Sequence, residues 1–360
     1  MPWDDILGHQ QAIDRFRTSI QGGRLASTFL FVGKPGIGKA TFAKKLAQAL
    51  LCETNDEHLL DPCGHCPACQ QATALSHPDL ILISKPAEKT YIPVETFIGD
   101  REHRMREGMC YDISLKPFRG GRKVAIIDDA DFLNQEGANC LLKTLEEPPP
   151  KSIIILIGSS EQRQLPTIRS RSQIVRFHPL DDSTVAMLLE KHRLLGDEFT
   201  GNYQDVASAG EGSLQQAIAL ASEEMRDFRA QLLSELSNPR RHNVELAKNV
   251  IAFVEEAGKD AQPRRARLRS VVGLANDFYR QLMRRMTALP VNGDSLMVKS
   301  VELAANSWQG DAERVGDCIE RCMQTIGMIQ ANANVTLVIE CWFDDLWLIE
   351  YGRIAETVNH

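Results

Sequence analysis

The sequence predicts an α/β fold in the first half of the chain, with a parallel sheet covered by helices, and a helical second half. Short apolar runs alternate with helical segments up to about Pro179, which is the pattern of a parallel sheet. A glycine-rich loop joins the first of these runs to a helix, and β-strand signals fade after Glu223. We therefore expect three domains, at residues 1–179, 180–222 and 223–360.

The composition narrows the class of protein. The chain has 360 residues, of which 43% are hydrophobic and 25% are charged, as in ordinary soluble proteins. Its net charge of -7 argues against a protein that coats nucleic acid through bulk positive charge. The N-terminus has no signal-peptide pattern, and no apolar run approaches the roughly 20 residues that cross a bilayer. We therefore expect a cytoplasmic protein with no membrane partner.

Five short apolar segments are expected to form the sheet: residues 28–32, 80–84, 123–128, 152–158 and 173–177. Helices are expected between them, notably at 39–51 and 132–146, where apolar residues keep helical spacing. Residues 180–222 contain short helical segments broken by glycines, which predicts a small helical domain. The segment 85–122 is highly charged and carries no motif that we can interpret, so we expect a solvated insertion there.

The loop from Gly33 to Lys39 has the form of a phosphate-binding loop. Its glycines let the backbone turn tightly and point N–H groups at phosphate oxygens, beside a helix N-terminus that favours anions. The candidate phosphate-binding residues are Gly33, Gly36, Gly38 and Lys39. Ala40 follows, where a nucleotide hydrolase carries the Ser or Thr that holds Mg²⁺. Thr41 is a further candidate, but one helical step turns a side chain by about 100°, so it cannot simply replace that hydroxyl.

A second part of the expected nucleotide site is the apolar strand that ends in Asp128 and Asp129. In this Walker B pattern the first carboxylate supports Mg²⁺ and the next polarises the attacking water. Hydrolases of this type usually carry Glu at the second position, and Asp129 is one methylene shorter. A misplacement of about 1 Å can slow a reaction around 10²-fold. We therefore expect a nucleotide-type fold with impaired hydrolysis, and the binding of ATP and Mg²⁺ stays an open question.

Four cysteines form the third motif. Its members are Cys52, Cys63, Cys66 and Cys69. The last three are spaced three residues apart, and the first lies eleven residues before them. Four thiolates suit a tetrahedral Zn²⁺ ion, and a site filled by four protein ligands is structural because no position is open to water. We predict a zinc module at 52–69; the alternatives are a redox pair, incidental thiols, or a site in which His58 or His65 replaces one Cys.

Two further segments give the chain a family resemblance. Leu-Leu-Lys-Thr-Leu-Glu-Glu-Pro-Pro runs from Leu141 to Pro149, and Leu-Pro-Thr-Ile-Arg-Ser-Arg-Ser runs from Leu165 to Ser172. Together with the four-Cys insertion behind the P-loop helix, they resemble the AAA+ subunits of the bacterial DNA polymerase III clamp loader. The resemblance covers residues 3–216. It implies an AAA+ P-loop domain, a small helical lid domain and a C-terminal helical collar domain that serves oligomerisation.

The family contains gamma or tau motors, which hydrolyse ATP, and a delta-prime subunit, which mainly holds the ring together. In this chain Ala40 stands at the motor's Mg²⁺ position and Asp129 at its water-activating position. Gln215 stands where the motor carries its sensor 2 Arg, and sensor 1 falls at Ser159 or Ser160. The resemblance therefore implies the delta-prime type, because three groups that a motor uses are altered.

One functional group of the family is retained. The family's Ser-Arg-Cys motif is present as Ser170-Arg171-Ser172, with only its last residue changed. The resemblance implies that Arg171 acts in trans, as an arginine finger in the ATP site of a neighbouring motor. The chain would thus retain the arginine that acts in a neighbour's ATP site and lack three groups that would act in its own.

The resemblance also implies partners and a place in the cell. The chain would assemble with gamma/tau motor subunits and the delta subunit, and the complex would load the sliding clamp onto primed DNA. It would act in the cytoplasm, in the nucleoid-associated replisome, as part of a DNA polymerase holoenzyme and not as an ATPase on its own. Two alternatives stay open: a gamma/tau-type ATPase motor, and a zinc-containing DNA-binding protein with a relic P-loop.

Overall fold

A computed structural model describes residues 3, 6–86, 88–119, 121–197, 199, 201–308 and 310–357, with side chains as far as Tyr351. The chain forms two compact units. The first comprises Met1–Leu188 and Gly212–Gln215, and the second comprises Leu189–Glu211 and Gln216–His360. The three-domain boundaries expected from the sequence stay a prediction.

The first unit is built on a five-stranded parallel sheet, as predicted. The strands are β1 Thr28–Val32, β2 Leu80–Ile83, β3 Lys123–Ile127, β4 Ser152–Gly158 and β5 Gln173–Arg176. Their order across the sheet is β2-β3-β4-β1-β5, and every neighbouring pair is parallel. The expected ends of β2, β3 and β5 were each one residue too long. The carboxyl ends of parallel strands lie at one edge, so β1, β3 and β4 bring their following loops together there.

The helices of the first unit are α1 Gln10–Gln21, α2 Lys39–Leu50, α3 Pro67–Thr73, α4 Glu95–Ile98, α5 Met109–Ser114, α6 Gln135–Glu146 and α7 Pro166–Arg169. Single 3-10 turns lie at Glu57–Leu59 and Ala130–Phe132. The helix expected from residue 132 begins at Gln135 instead. The reason is a cap: the Asn134 side chain accepts the N–H of Gly137 at 2.8 Å, which satisfies a donor of the first turn.

The core of the first unit fixes the loop between β1 and α2. All of β1 is buried, and its alternate side chains point to opposite faces of the sheet. Phe29 and Phe31 join one cluster, whereas Leu30 and Val32 join the other. Phe42 of α2 is fully buried against Phe31, with ring centroids 5.8 Å apart. The loop is therefore held by packed side chains on both flanking elements.

The remaining elements are helices. They are α8 Asp182–Lys191, α9 Tyr203–Ala209, α10 Leu214–Ala221, α11 Glu223–Leu236, α12 Asn243–Glu255, α13 Ala261–Met286, α14 Ser295–Ser307, α15 Ala312–Gln330 and α16 Val335–Thr357. The described part of the second unit contains no β-strand, which confirms the predicted helical C-terminal region. None of the described helices has the length and apolar character of a membrane span.

A buried polar cluster lies in the core of the second unit. The Arg241 guanidinium lies 2.8 Å from a carboxylate oxygen of Glu350, and these side chains are 1% and 3% exposed. The Tyr279 hydroxyl donates a hydrogen bond of 2.6 Å to the other Glu350 oxygen. Trp342 and Phe343 are fully buried in the same unit. The cluster joins the loop before α12 to α13 and α16, so it ties three parts of the bundle together.

Candidate functional site

The glycine-rich loop turns as the sequence predicts. Gly36 and Gly38 have φ angles of +77° and +95°, which L side chains rarely adopt. Gly38 is the N-cap of α2, so the free N–H groups of the first helical turn face the loop. Ala40 is half-buried against the core, whereas Thr41 is exposed to solvent. The helix therefore offers no hydroxyl at the position where a hydrolase holds Mg²⁺.

Lys39 is hydrogen-bonded inside its own loop. Its Nζ donates to the carbonyl of Gly33 at 2.6 Å and to that of Lys34 at 2.8 Å. Burial lowers the pKa of Lys39, and the negative charges of Asp128 and Asp131 oppose that shift. The ammonium thus lies near the acids that follow β3, and two of its three N–H donors are engaged by backbone carbonyls.

His9 is hydrogen-bonded to the glycine-rich loop. Its Nε2 lies 2.7 Å from the carbonyl of Ile37, and since a carbonyl only accepts, Nε2–H is the donor. The ring also packs edge-on against Phe177, with centroids 4.9 Å apart. Burial lowers the pKa of His9, and the hydrogen bond to Ile37 raises it only in part. His9 was not predicted to be part of the site, because nothing in the sequence relates position 9 to a loop 28 residues later.

The segment 212–215 is hydrogen-bonded to the glycine-rich loop. The N–H of Leu214 donates to the carbonyl of Gly36 at 3.0 Å, and the Ser213 hydroxyl donates to the carbonyl of Pro35 at 2.9 Å. A methyl group at Gly36 would overlap both the Ser213 hydroxyl and the Gln215 side chain. Gln215 itself is exposed. The segment that holds the predicted sensor 2 position thus uses the loop carbonyls as hydrogen-bond acceptors.

The two predicted acids lie at the end of β3. A carboxylate oxygen of Asp128 accepts the N–H of Asp129 at 2.9 Å. Asp129 has a left-handed backbone with φ +58°, which is uncommon outside glycine. Burial raises the pKa of Asp129, and the neighbouring charge of Asp128 raises it further. The structure therefore places both carboxyl groups at the sheet edge where the glycine-rich loop also lies.

A third acid, Asp131, joins the ends of β3 and β4. Its carboxylate accepts the N–H of Ser159 at 2.9 Å and also the side-chain amide of Gln164. Ser159 is one of the two expected sensor 1 positions and directly follows β4. Asp131 was not singled out from the sequence, although three acids within four residues of a strand end were a signal. Its effect is to fix the backbone of the sensor 1 candidate.

The four predicted cysteines come together. Their Sγ atoms all lie within 4.8 Å of one another, and those of Cys63 and Cys69 are 3.9 Å apart. Four sulfurs at about 2.3 Å from a tetrahedral zinc ion would be about 3.8 Å apart, so the spacing fits. This cluster contains cysteines alone. The His65 ring instead contacts the carbonyl of Cys63 at 2.9 Å.

Backbone N–H groups lower the pKa of Cys63 and Cys66 and so favour their thiolates, whereas burial raises the pKa of the Cys69 thiol. The N–H of Cys66 donates to the Cys63 sulfur at 3.3 Å, and the N–H of Cys69 donates to the Cys66 sulfur at 3.4 Å. Burial acts to raise the pKa of Cys63, but donors from Cys66 and His65 outweigh it and lower the pKa to about 6. Metal ligands must be deprotonated, so the arrangement could hold a zinc ion.

Arg171 lies at the surface, just after α7. Its Nε donates to Glu146 Oε1 at 2.6 Å, and its Nη2 contacts the same oxygen. Its Nη1 donates to the carbonyl of Thr167 at 3.0 Å and to the Ser170 hydroxyl at 3.2 Å. The Arg171 side chain is 29% exposed. The predicted finger is therefore accessible, and it is bonded to its own chain.

Comparison with known proteins shows similarity to subunits of DNA polymerase III. Residues 8–181 match the sequence model of a family described as DNA polymerase III, delta subunit. The chain is also 34% identical over 232 residues to the DNA polymerase III subunit delta' of Pseudomonas aeruginosa, covering 64% of this chain and 65% of that protein. Residues 8–181 are therefore similar in sequence to delta-type subunits of DNA polymerase III.

Other relatives include both delta-prime and tau subunits of DNA polymerase III. The chain is 28% identical over 216 residues to the DNA polymerase III subunit delta' of Bacillus subtilis, covering 60% of each protein. It is 31% identical over 224 residues to the DNA polymerase III subunit tau of Escherichia coli, covering 61% of this chain and 32% of that one. The matched region thus spans less than two thirds of the length of these relatives.

Among solved structures, a DNA polymerase III gamma subunit-related protein of Thermotoga maritima aligns with a TM-score of 0.39 and 14% identity. That alignment covers 92% of this chain and 98% of the other.

The charged segment 85–122 is tied to the cysteine module. The carboxylate of Asp79 is buried and accepts the N–H of Phe118 at 2.8 Å. Arg119 then pairs with Glu53 at 2.6 Å, and Arg122 pairs with Glu57 at 2.6 Å. Both acids lie between the first and second cysteines. The end of the segment is therefore an anchored strap, where the sequence had suggested only a solvated insertion.

Proposed function

We propose that this chain is a delta-prime-type subunit of a clamp loader, which helps to assemble the ring and activates a neighbouring motor in trans. The observation that carries the proposal is a contrast within one unit. In the chain's own glycine-rich loop, Lys39 is hydrogen-bonded to the carbonyls of Gly33 and Lys34, and Ala40 offers no hydroxyl. Arg171, in contrast, lies at the surface on a packed framework.

The altered nucleotide site supports the proposal that the chain does not hydrolyse ATP by itself. Without the hydroxyl at position 40, Mg²⁺ would lose a ligand that hydrolases of this type supply from the P-loop. Asp129 is shorter than the usual Glu, and about 1 Å of misplacement can slow a reaction around 10²-fold. The Lys39 ammonium would have to release the carbonyls of Gly33 and Lys34 to contact phosphates fully.

Arg171 would supply the catalytic contribution of the chain. A guanidinium offers five N–H donors in a fixed fork that matches phosphate oxygens. An arginine finger provided in trans is worth about 10³ to 10⁵ in the rate of phosphoryl transfer. Here the finger would reach into the ATP site of a gamma/tau motor.

The cysteine cluster would hold one structural zinc ion. The four cysteine sulfurs would fill a tetrahedral shell, which leaves no position for a substrate or an activated water. The strap formed by Arg119 and Arg122 lies against the loop that carries the cluster. Zinc would therefore stabilise this face of the first unit.

The proposed partners are gamma/tau motor subunits and the delta subunit of the loader, with the sliding clamp and primed DNA as indirect partners. The helical second unit would serve as the collar that joins the ring. The place of action would be the cytoplasmic replisome at the nucleoid.

The test is a reconstituted loader with purified motor and delta subunits, the clamp and primed DNA. We expect the isolated chain to have negligible ATPase activity and its addition to raise the turnover of the motors. Arg171→Ala should assemble normally and lose most of that stimulation. The same loader assembled with Arg171→Ala and showing full turnover would overturn the trans role.

A gamma/tau-type motor is the second candidate, because the E. coli tau subunit is 31% identical over the matched region. It predicts the opposite result. The isolated chain would then hydrolyse ATP, and Lys39→Ala would abolish that activity. Tight binding of the isolated chain to DNA, with no effect on any loader, would instead support a zinc-containing DNA-binding protein.

A further inference from the structure

We propose that Glu146 is a lock on Arg171: in the free chain it occupies the edge of the guanidinium that a neighbour's phosphate would need. This inference rests on the proposed trans role of Arg171. It adds a second residue to that role, one that controls how readily the finger is delivered.

The geometry of the pair carries the inference. The Nε and Nη2 groups form one edge of the guanidinium, and both are directed at Oε1 of Glu146. The Nη1 group is bonded to the Thr167 carbonyl and the Ser170 hydroxyl. Four donor contacts are thus made within the chain, out of the five N–H groups that an arginine has.

Carboxylates and phosphates are bound by arginine through the same planar edge. A carboxylate that already occupies this edge is therefore a competitor of a phosphate, and not an addition to it. In the free chain, the Glu146 carboxylate occupies the place that a phosphate of the neighbour's nucleotide would take. To make a bidentate contact with that nucleotide, Arg171 must first release Glu146.

The backbone on both sides of the pair is held firmly. Glu146 is the last residue of α6, which anchors Leu141 and Leu145 in the core. Arg171 follows α7, whose Ile168 is buried in the same cluster. Exchange of partners therefore needs only side-chain rotation, and the finger can be released without movement of either helix.

The pair is exposed enough to be broken. The Glu146 side chain is 48% exposed, so solvent screens its attraction for Arg171. Ion pairs of this kind are worth up to about 1 kcal/mol, which corresponds to a factor of about five in an equilibrium. When only a fraction of a protein is competent to bind, the apparent affinity falls by that fraction. The lock should thus weaken the apparent affinity of the neighbouring site for ATP by up to about fivefold.

The first test compares Glu146→Gln with Glu147→Gln in the reconstituted loader. Glu147 is the adjacent exposed carboxylate and makes no ion pair in the described structure, so its variant changes the charge equally. We expect Glu146→Gln to lower the KM for ATP about two- to fivefold with kcat unchanged, and Glu147→Gln to change neither. An equal effect of the two variants, or no effect of Glu146→Gln, would overturn the lock.

The same assay distinguishes a Glu146 that competes for Arg171 from a Glu146 that orients it. If Glu146→Gln lowered kcat towards the value of Arg171→Ala, Glu146 would orient the finger and the lock would be wrong. In the Arg171→Ala background, Glu146→Gln should have no further effect. If Arg171→Ala alone leaves turnover unchanged, the proposed trans role fails first, whatever Glu146 does.

A second measurement uses the isolated chain and does not depend on the loader. The exchange of the Arg171 Nε–H with water, followed by NMR, should be faster in Glu146→Gln and unchanged in Glu147→Gln. An unchanged exchange rate in Glu146→Gln would contradict the lock even if the finger role holds.

Discussion

Replacing Glu350 by Gln should destabilise the helical second unit by about 3–5 kcal/mol, because it leaves the charge of Arg241 buried without a counter-charge. The two side chains are 3% and 1% exposed, and their charged groups are 2.8 Å apart. Water cannot reach the guanidinium to replace the lost carboxylate charge. Gln keeps one oxygen that can accept the Tyr279 hydroxyl, so the loss reports mainly on the charge.

The magnitude can be bracketed by two other variants. Arg193 and Asp197 form an ion pair in the same unit with both side chains 76% exposed, so Asp197→Asn should change stability little. Replacing Arg241 and Glu350 by Leu and Tyr279 by Phe removes the whole polar cluster. Buried ion pairs replaced by packed apolar groups are often neutral or stabilising, so this triple variant should be more stable than Glu350→Gln.

Urea denaturation followed by tryptophan fluorescence is the assay. Three of the four tryptophans of the chain, Trp308, Trp342 and Trp347, lie in the second unit, and Trp342 is fully buried. The emission change therefore reports chiefly on this unit. A loss below about 1 kcal/mol in Glu350→Gln, no larger than that of Asp197→Asn, would refute the argument from burial.

Two further predictions concern the first unit. Cys66→Ser should release the zinc ion from the purified chain, as measured by elemental analysis. Cys341→Ser, at an exposed cysteine outside the cluster, should keep the zinc ion. An unchanged zinc content in Cys66→Ser would refute the ligand set. Because His9 has a lowered pKa in the folded state, the unfolded chain binds its proton more tightly. The free energy of unfolding should therefore rise with pH up to about 6.5 and then level off. His9→Gln should flatten that rise in denaturation curves taken across this pH range; an unchanged slope would contradict it.

The sequence predicted the sheet because local signals specify it. β1 and β4 are continuous apolar runs, as expected for strands buried on both faces, and their observed bounds equal the expected ones. The cysteine cluster was predictable for a similar reason, since three of its members lie within seven residues. Short spacing along the chain leaves few ways for these groups to be arranged.

The contacts that the sequence did not reveal join distant positions. The Ser213 hydroxyl contacts a carbonyl 178 residues away, and Glu146 lies 25 residues from Arg171. An exposed Glu or Ser looks the same in a sequence whether it has a partner or not. The charged segment 85–122 shows the same limit, because its link to the cysteine module depends on Asp79 and on arginines paired across 65 residues or more.

The most direct test of the central claim compares Lys39→Ala with Arg171→Ala in one reconstituted loader. If the chain acts in its neighbour's site and not in its own, Lys39→Ala should leave ATP turnover unchanged. Arg171→Ala should slow the adjacent motor site about 10³- to 10⁵-fold, so that total turnover falls to that of the remaining sites. Loss of turnover with Lys39→Ala, together with full turnover with Arg171→Ala, would contradict the account.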